Sequence, residues 1–341
     1  MAKAFARSNS VTVGNQDVAL LKSTTVGRGP ISDIAVDGDT LVVANFASDS
    51  IAVLDAGTLA VRADVVAGQP TAVAVSDDRA VAAVSSASYD AIAVIDTISG
   101  DVLKEYPLAF NVTAVTTSHD GKRIFAGRAG ESGVDVAVID VTAERVGTIY
   151  IAKGADATID ALRLDATGRR LYVAVSDARS SRLLTVDVES SRVRNTLEIG
   201  APVRGLELGM DSTAYVLTSD IADGGVLYFV DLVKNEIVGT TAVAQTPTQL
   251  ALSENGSRAY VVDYDHVAVI DVDDRTVIGR VSVGARPSAI AMIDDRLYVA
   301  DYDGGVTAYA VASPMPMLYA PFVGAPAFVE PALRELAPAG V

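Results

Sequence analysis

One element recurs along this chain, and its period decides the fold before composition has any say. An apolar alternation closes on aspartate, a short turn follows, and a second alternating run begins. The copies are Ile51-Ala-Val-Leu-Asp55, Ile92-Ala-Val-Ile-Asp96, Val136-Ala-Val-Ile-Asp140, Leu183-Leu-Thr-Val-Asp187, Val226-Leu-Tyr-Phe-Val-Asp231 and Val267-Ala-Val-Ile-Asp271. Successive aspartates stand 41, 44, 47, 44 and 40 residues apart, and a seventh copy, Val306-Thr-Ala-Tyr-Ala310, follows 39 residues later with alanine in the acid's place. Each period holds four strand-like runs, clearest in the second: Thr71 to Val75, Ala80 to Val84, Ala91 to Ile95 and Val102 to Tyr106. Four short strands in about 40 residues make a propeller blade.

Seven copies predict an all-β, seven-bladed β-propeller of four-stranded blades. The seventh copy runs out of chain after its third strand. Near the amino terminus, the run Asp17 to Gly27 matches the fourth-strand segment Asp274 to Gly284. The N-terminal strand is therefore expected to close the last blade, which removes the exposed sheet edge that an open array leaves. Turn chemistry agrees: Ser118-His-Asp-Gly121, Asp165-Ala-Thr-Gly168 and Ser253-Glu-Asn-Gly256 supply the positive backbone angles of tight turns. The expected organisation is an extension over 1–17, a propeller over 18–311 and a tail over 312–341.

The succession Ala259-Tyr-Val-Val-Asp263, Val267-Ala-Val-Ile-Asp271 and Val281-Ser-Val-Gly284-Ala-Arg-Pro287 resembles the YVTN-type β-propeller repeat family. The resemblance covers about residues 18 to 311. The family's terminal asparagine is kept at Asn45 and replaced by Val84, Arg128, Val175, Thr218, Asp263 and Asp301 elsewhere. The absence of tryptophan speaks against the Trp-Asp repeat propellers. The resemblance implies the propeller fold and no single activity. Its members resemble surface-layer, periplasmic and nucleic-acid-binding proteins, and some related propellers are lactonases or lyases.

Composition excludes several functions. The formal charge of −16 repels phosphate backbones and anionic lipid, so nucleic acid is not an expected partner. No cysteine is present for a disulfide, a thiolate metal site or a thiol nucleophile. No run of 18 apolar residues predicts a membrane span, and residues 1–10 lack the apolar stretch of a secretory signal, so the expected location is cytoplasmic.

Alternating strands put the loops between blades and those between second and third strands on one face, where function is expected. These loops include Asn45 to Asp49, Ser85 to Asp90, Arg128 to Asp135, Ser176 to Ser181, Ser219 to Gly225, Asp263 to His266 and Asp301 to Gly305. The tripeptides Asp263-Tyr-Asp265 and Asp301-Tyr-Asp303 offer four carboxylates on neighbouring blades, either as ligands for a hard cation or as caps of their own turns. The repeating third-strand aspartates are expected to cap turns, because a catalytic group does not come in six equivalent copies. His266 stands beside Asp265 on the loop face, and His119 is expected in an exposed turn on the other. Arg28 and Arg286 precede blades, while Arg128, Arg163 and Arg204 are expected near the loop face or the central channel, where guanidinium groups could hold an anion.

No Gly-rich phosphate loop, nucleophile elbow or zinc-binding histidine pair appears. Residues 312–341 carry six of the twelve prolines together with Met317, Leu318, Tyr319, Phe322 and Phe328. Such a segment packs back on its own domain or docks on a partner. The sequence reads as a non-enzymatic scaffold that binds a protein partner or its own copies, with no cofactor. The alternative is a small-molecule or metal-binding loop face, lactonase- or lyase-like, built from Asn45, Asp49, Arg128, Asp263, Asp265, His266, Arg286, Asp301 and Asp303.

Overall fold

The computed structural model describes residues 11–13 and 16–311, apart from 77, 86–88, 109–110 and 285. The tail residues Met317, Leu318, Tyr319, Phe322 and Phe328 lie outside the described residues. Seven antiparallel sheets stand in a ring, each running from an innermost to an outermost strand. Blades 1 to 6 span 31–66, 70–108, 111–153, 158–198, 203–244 and 249–282. Blade 7 takes Pro287–Ile293, Arg296–Asp301 and Gly305–Val311 from the end of the described chain and Gln16–Thr25 from its beginning. Val18 pairs with Val311 and Thr25 with Gly305, so the N-terminal strand closes the ring as its match to the other fourth strands predicts. A short fifth strand, Val11–Val13, continues that sheet beyond Gln16–Thr25 and has no counterpart in the repeat.

The reason these residues make blades is visible in where they are buried. The second and third strands are buried almost throughout, as in Thr40–Asn45 and Ser50–Asp55, because a blade is covered on both faces by its neighbours. The outermost strands are mostly exposed. Among the described residues the core is seven separate clusters, each lying in one seam between adjacent blades. One joins blades 7 and 1 through Ile31, Leu41, Tyr298 and Ala300, and another joins blades 3 and 4 through Phe125, Ile159 and Val173. The remaining five fill the other seams. A radial core of this kind needs small residues where the blades converge, hence the alanines between the valines and isoleucines.

The six third-strand aspartates cap their turns. Asp55 accepts the amide of Thr58 at 2.7 Å, Asp96 those of Ile98 and Ser99, Asp140 that of Ala143, and Asp187 that of Ser190. Asp231 accepts from Val233 and Lys234, and Asp271 from Asp274. Four residues after each aspartate the backbone turns left-handed: Leu59, Gly100, Glu144, Ser191, Asn235 and Arg275 all have positive φ. Only one is glycine, so the carboxylate cap holds five side-chain-bearing residues in a conformation they otherwise avoid.

Candidate functional site

On the loop face, most of the polar candidates are engaged by the fold. Asn45 is buried and donates through Nδ2 to the carbonyl of Val26. Asp49 is exposed and ends a 3-10 turn in the left-handed conformation, its carbonyl accepting the amide of Ala67. Arg128 and Asp135 form a buried pair at 2.7 Å across the second and third strands of blade 3, and Arg128 also donates to Thr148 on the outermost strand. Arg128 therefore clamps its own blade. Asp263 is buried and accepts from the amides of Gln245 and Thr246, tying the end of the second strand of blade 6 to the loop that precedes the blade. Burial pushes its pKa up, but those amides outweigh it and the net shift is downward.

His266 places Nδ1 2.7 Å from Asp265 and Nε2 3.9 Å from Asp263. Asp301 accepts from the amides of Asp303 and Gly305, closing its own turn. Arg286 is exposed and lies over the ring of Tyr302 at 5.3 Å. The structure thus joins Asp263, Asp265 and His266 within blade 6 and leaves Asp301 and Asp303 in blade 7. Among the described residues no three acidic or histidine side chains gather as metal ligands.

Arg163 and Arg204 line the central channel, one of the two places expected for them, while Asp33, Gln249 and Glu207 beside them were missed by sequence reasoning; the channel is a cavity of about 720 Å³ bounded by all seven innermost strands. None of the nine loop-face candidates lines it. Asp33 on blade 1 accepts from the amide of Val73 on blade 2 at 3.0 Å and from Gln249 Nε2 on blade 6 at 3.2 Å. Gln249 in turn accepts through Oε1 from the amide of Ile290 on blade 7, which fixes the amide's orientation. Two side chains therefore bind four consecutive blades, 6, 7, 1 and 2, across the place where the ring closes. Burial lifts the Asp33 carboxyl to about 6, against the Val73 amide, the Arg163 charge and Gln249.

On the far side, Arg163 of blade 4 grips Glu207 of blade 5 with two hydrogen bonds, at 3.0 and 2.5 Å. Burial disfavours the guanidinium charge and Glu207 restores it, with a net upward shift. More than a third of the Arg163 side chain still meets solvent in the channel. Asp160 takes hydroxyl hydrogens from Ser176 and Thr158, and burial raises its pKa. Arg204 lines the channel near Asp160. The signal for this cluster was present in the repeat. Asp33 and Gln249 stand where the other inner strands carry Ala72, Ala114, Ala161, Gly205 and Ala289, and Arg163 and Glu207 stand where Ala35, Ala74, Ala251 and Ala291 do. His119 is exposed at the rim of the channel, on the face of the turns between first and second strands.

No family model matches the chain. It is 52% identical over 248 residues to a seven-bladed beta-propeller protein of Mycolicibacterium smegmatis, covering 72% of this chain and 67% of that one. It is 31% identical over 329 residues to the seven-bladed beta-propeller protein Rv1057 of Mycobacterium tuberculosis, covering 84% of each. The chain belongs to this family of seven-bladed β-propeller proteins. Among solved structures, the family's fold is shared by a chain of Kuenenia stuttgartiensis hydrazine synthase, with TM-score 0.75 and 18% identity over 85% of this chain and 97% of that one. It is shared also by the Cps50 (Swd1) beta-propeller domain of Myceliophteria thermophila, with TM-score 0.72 and 12% identity over 86% of this chain and all of that one. Identities this low establish the fold alone.

The loop face also exposes apolar and aromatic side chains. Ile221 of blade 5 is fully exposed, Tyr264 of blade 6 is 65% exposed, and Tyr302 of blade 7, Val66 of blade 1 and Tyr89 of blade 2 follow around the ring. Five consecutive blades each present one such side chain. Acidic residues flank them, Asp265 beside Tyr264 and Asp301 and Asp303 about Tyr302. Among the described residues no helix is long and apolar enough to cross a membrane.

Proposed function

We propose that this propeller is a non-enzymatic interaction module that holds a protein partner on its loop face. One observation carries the reading: five successive blades place Ile221, Tyr264, Tyr302, Val66 and Tyr89 in solvent on the same face. Exposed aromatic side chains are costly unless something covers them, and they are the residues around which protein interfaces concentrate binding energy. The flanking Asp265, Asp301 and Asp303 give that face a negative rim, so the partner that fits it is basic where it meets the rim. The proline-rich segment 312–341 is a second attachment element in this reading, through Met317, Leu318, Tyr319, Phe322 and Phe328. The repeats themselves are of the YVTN type, a reading supported by the Val-x-Val-Ile-Asp and Val-Gly-x-x-Pro runs.

The test is affinity capture from native cell lysate with the full-length chain and with Ile221→Ser/Tyr264→Ser/Tyr302→Ser. These side chains are exposed, so the variant keeps its melting temperature. Loss of a captured protein from the variant supports the reading. Equal capture by both chains removes the loop face as the docking surface.

A further inference from the structure

In the seam between blades 6 and 7, on the face opposite the long loops, lies a second cavity of about 280 Å³. Ser253, Glu254, Asn255 and Ser257 of the first turn in blade 6 line it, as do Asp294 and Asp295 of the corresponding turn in blade 7. Tyr260, Met292 and Val311 make its apolar wall, and Arg258 reaches into it. Arg258 opens the second strand of blade 6, directly opposite Asp271. Arg79, Arg123 and Arg170 hold the equivalent position in blades 2, 3 and 4, opposite Asp96, Asp140 and Asp187, and are exposed or half-buried.

Arg258 departs from that pattern. It is 5% exposed, its Nε and Nη1 are buried, and no described residue accepts a hydrogen bond from either. Two buried donors without acceptors are costly in a fold, because each has lost its water and gained nothing in return. A carboxylate is the group whose two oxygens match the guanidinium fork.

The cavity also says what else such a ligand must carry. Glu254, Asp294 and Asp295 are exposed at the rim, three negative charges that repel a dianion and attract a cation. Tyr260, Met292 and Val311 add apolar surface to the same cavity. The space equals that of about nine liquid waters at roughly 30 Å³ each, which suits a molecule of amino-acid size. We propose that this seam binds a free α-amino acid with an aliphatic side chain. Its carboxylate lies on Arg258, its ammonium faces the acidic rim, and its side chain lies against Tyr260, Met292 and Val311. The inference goes beyond the loop-face reading, since the two surfaces lie on opposite faces and either stands without the other.

The experiment is thermal unfolding of the full-length chain with three probes: L-leucine, isovalerate, which lacks the ammonium, and isoamylamine, which lacks the carboxylate. Leucine at ten times its Kd is expected to raise the melting temperature by about 2 °C, isovalerate by less, and isoamylamine not at all. Arg258→Met removes the response to leucine and raises the melting temperature of the ligand-free chain, because two buried donors without acceptors are gone; a merely structural arginine would lower it. Asp294→Asn/Asp295→Asn, both exposed, leaves the ligand-free chain unchanged and brings leucine down to the level of isovalerate. The proposal is overturned if no probe stabilises the native chain, if the response survives Arg258→Met, or if leucine keeps its advantage in the asparagine variant.

Discussion

Replacing Asp33 by asparagine tests how the ring is held at its closure. The carboxyl sits at about 6 in the folded chain and near 3.9 when unfolded, a gap of about 2 units or about 3 kcal/mol. The folded state binds the proton more tightly, so this contribution is fully present below about pH 4 and is lost as pH rises through 6. Asp33 keeps partial contact with channel water, which makes 3 kcal/mol a ceiling and sets the expected loss at about 1–3 kcal/mol. Asparagine cannot titrate. It also turns an amide NH₂ towards either Val73 N–H or Gln249 Nε2, a fixed penalty at every pH. Urea unfolding of both chains at pH 4, 5, 6 and 7 gives a stability difference, native minus variant, that should fall by that amount across the series. A flat difference refutes the burial argument. A difference that rises with pH means that Arg163 holds the carboxylate charged.

Other consequences are as direct. Gln249→Leu strands the amide of Ile290 and leaves Asp33 Oδ1 with the Ile34 amide as its remaining donor, so stability should fall by about 1–3 kcal/mol in urea melts. Tyr298→Phe removes the 2.9 Å bond from its hydroxyl to the carbonyl of Ala56, which joins blades 7 and 1, and should cost about 1 kcal/mol by the same assay. Phe125→Ala opens a cavity in the seam of blades 3 and 4 and should cost about 3–5 kcal/mol, with unchanged far-ultraviolet circular dichroism at low temperature. Asp55 is held down to about 2 by the Thr58 hydroxyl and Arg62, so its cap persists below the ordinary carboxylate range and is lost as pH falls through 2. Carbon-13 titration of that side chain checks it.

The strands and their order were legible because a blade buries both faces of its second and third strands. That writes the runs ending at Asp55, Asp96 and Asp140 into the sequence as unbroken apolar repeats. Ring closure was legible because the run Asp17 to Gly27 matches the fourth-strand segment Asp274 to Gly284. The added strand Val11–Val13 was not, because an edge strand of three residues needs only backbone pairing and leaves no periodicity. The loop-face candidates were chosen by residue type. Type does not reveal that Arg128 faces Asp135 or that Asp263 turns back onto Gln245 and Thr246, since both depend on which strands lie side by side. The channel cluster was hidden differently. Asp33 and Gln249 lie 216 residues apart and meet only because the ring brings blades 6 and 1 to either side of blade 7. Arg258 is one of several arginines at the same repeat position, and only burial distinguishes it.

The most direct test of the interaction reading places a photo-crosslinking amino acid at Tyr264 or Tyr302 on the loop face and at Ile98 or Met210 on the opposite one, one site at a time, in the full-length chain in native cells. All four side chains are exposed, Ile98 and Met210 more than the two tyrosines, so poor access cannot explain silence from the opposite face. Crosslinking of the same protein from Tyr264 and Tyr302, with none from Ile98 and Met210, is the predicted result. Crosslinking only from Ile98 or Met210, or none from any site, contradicts it.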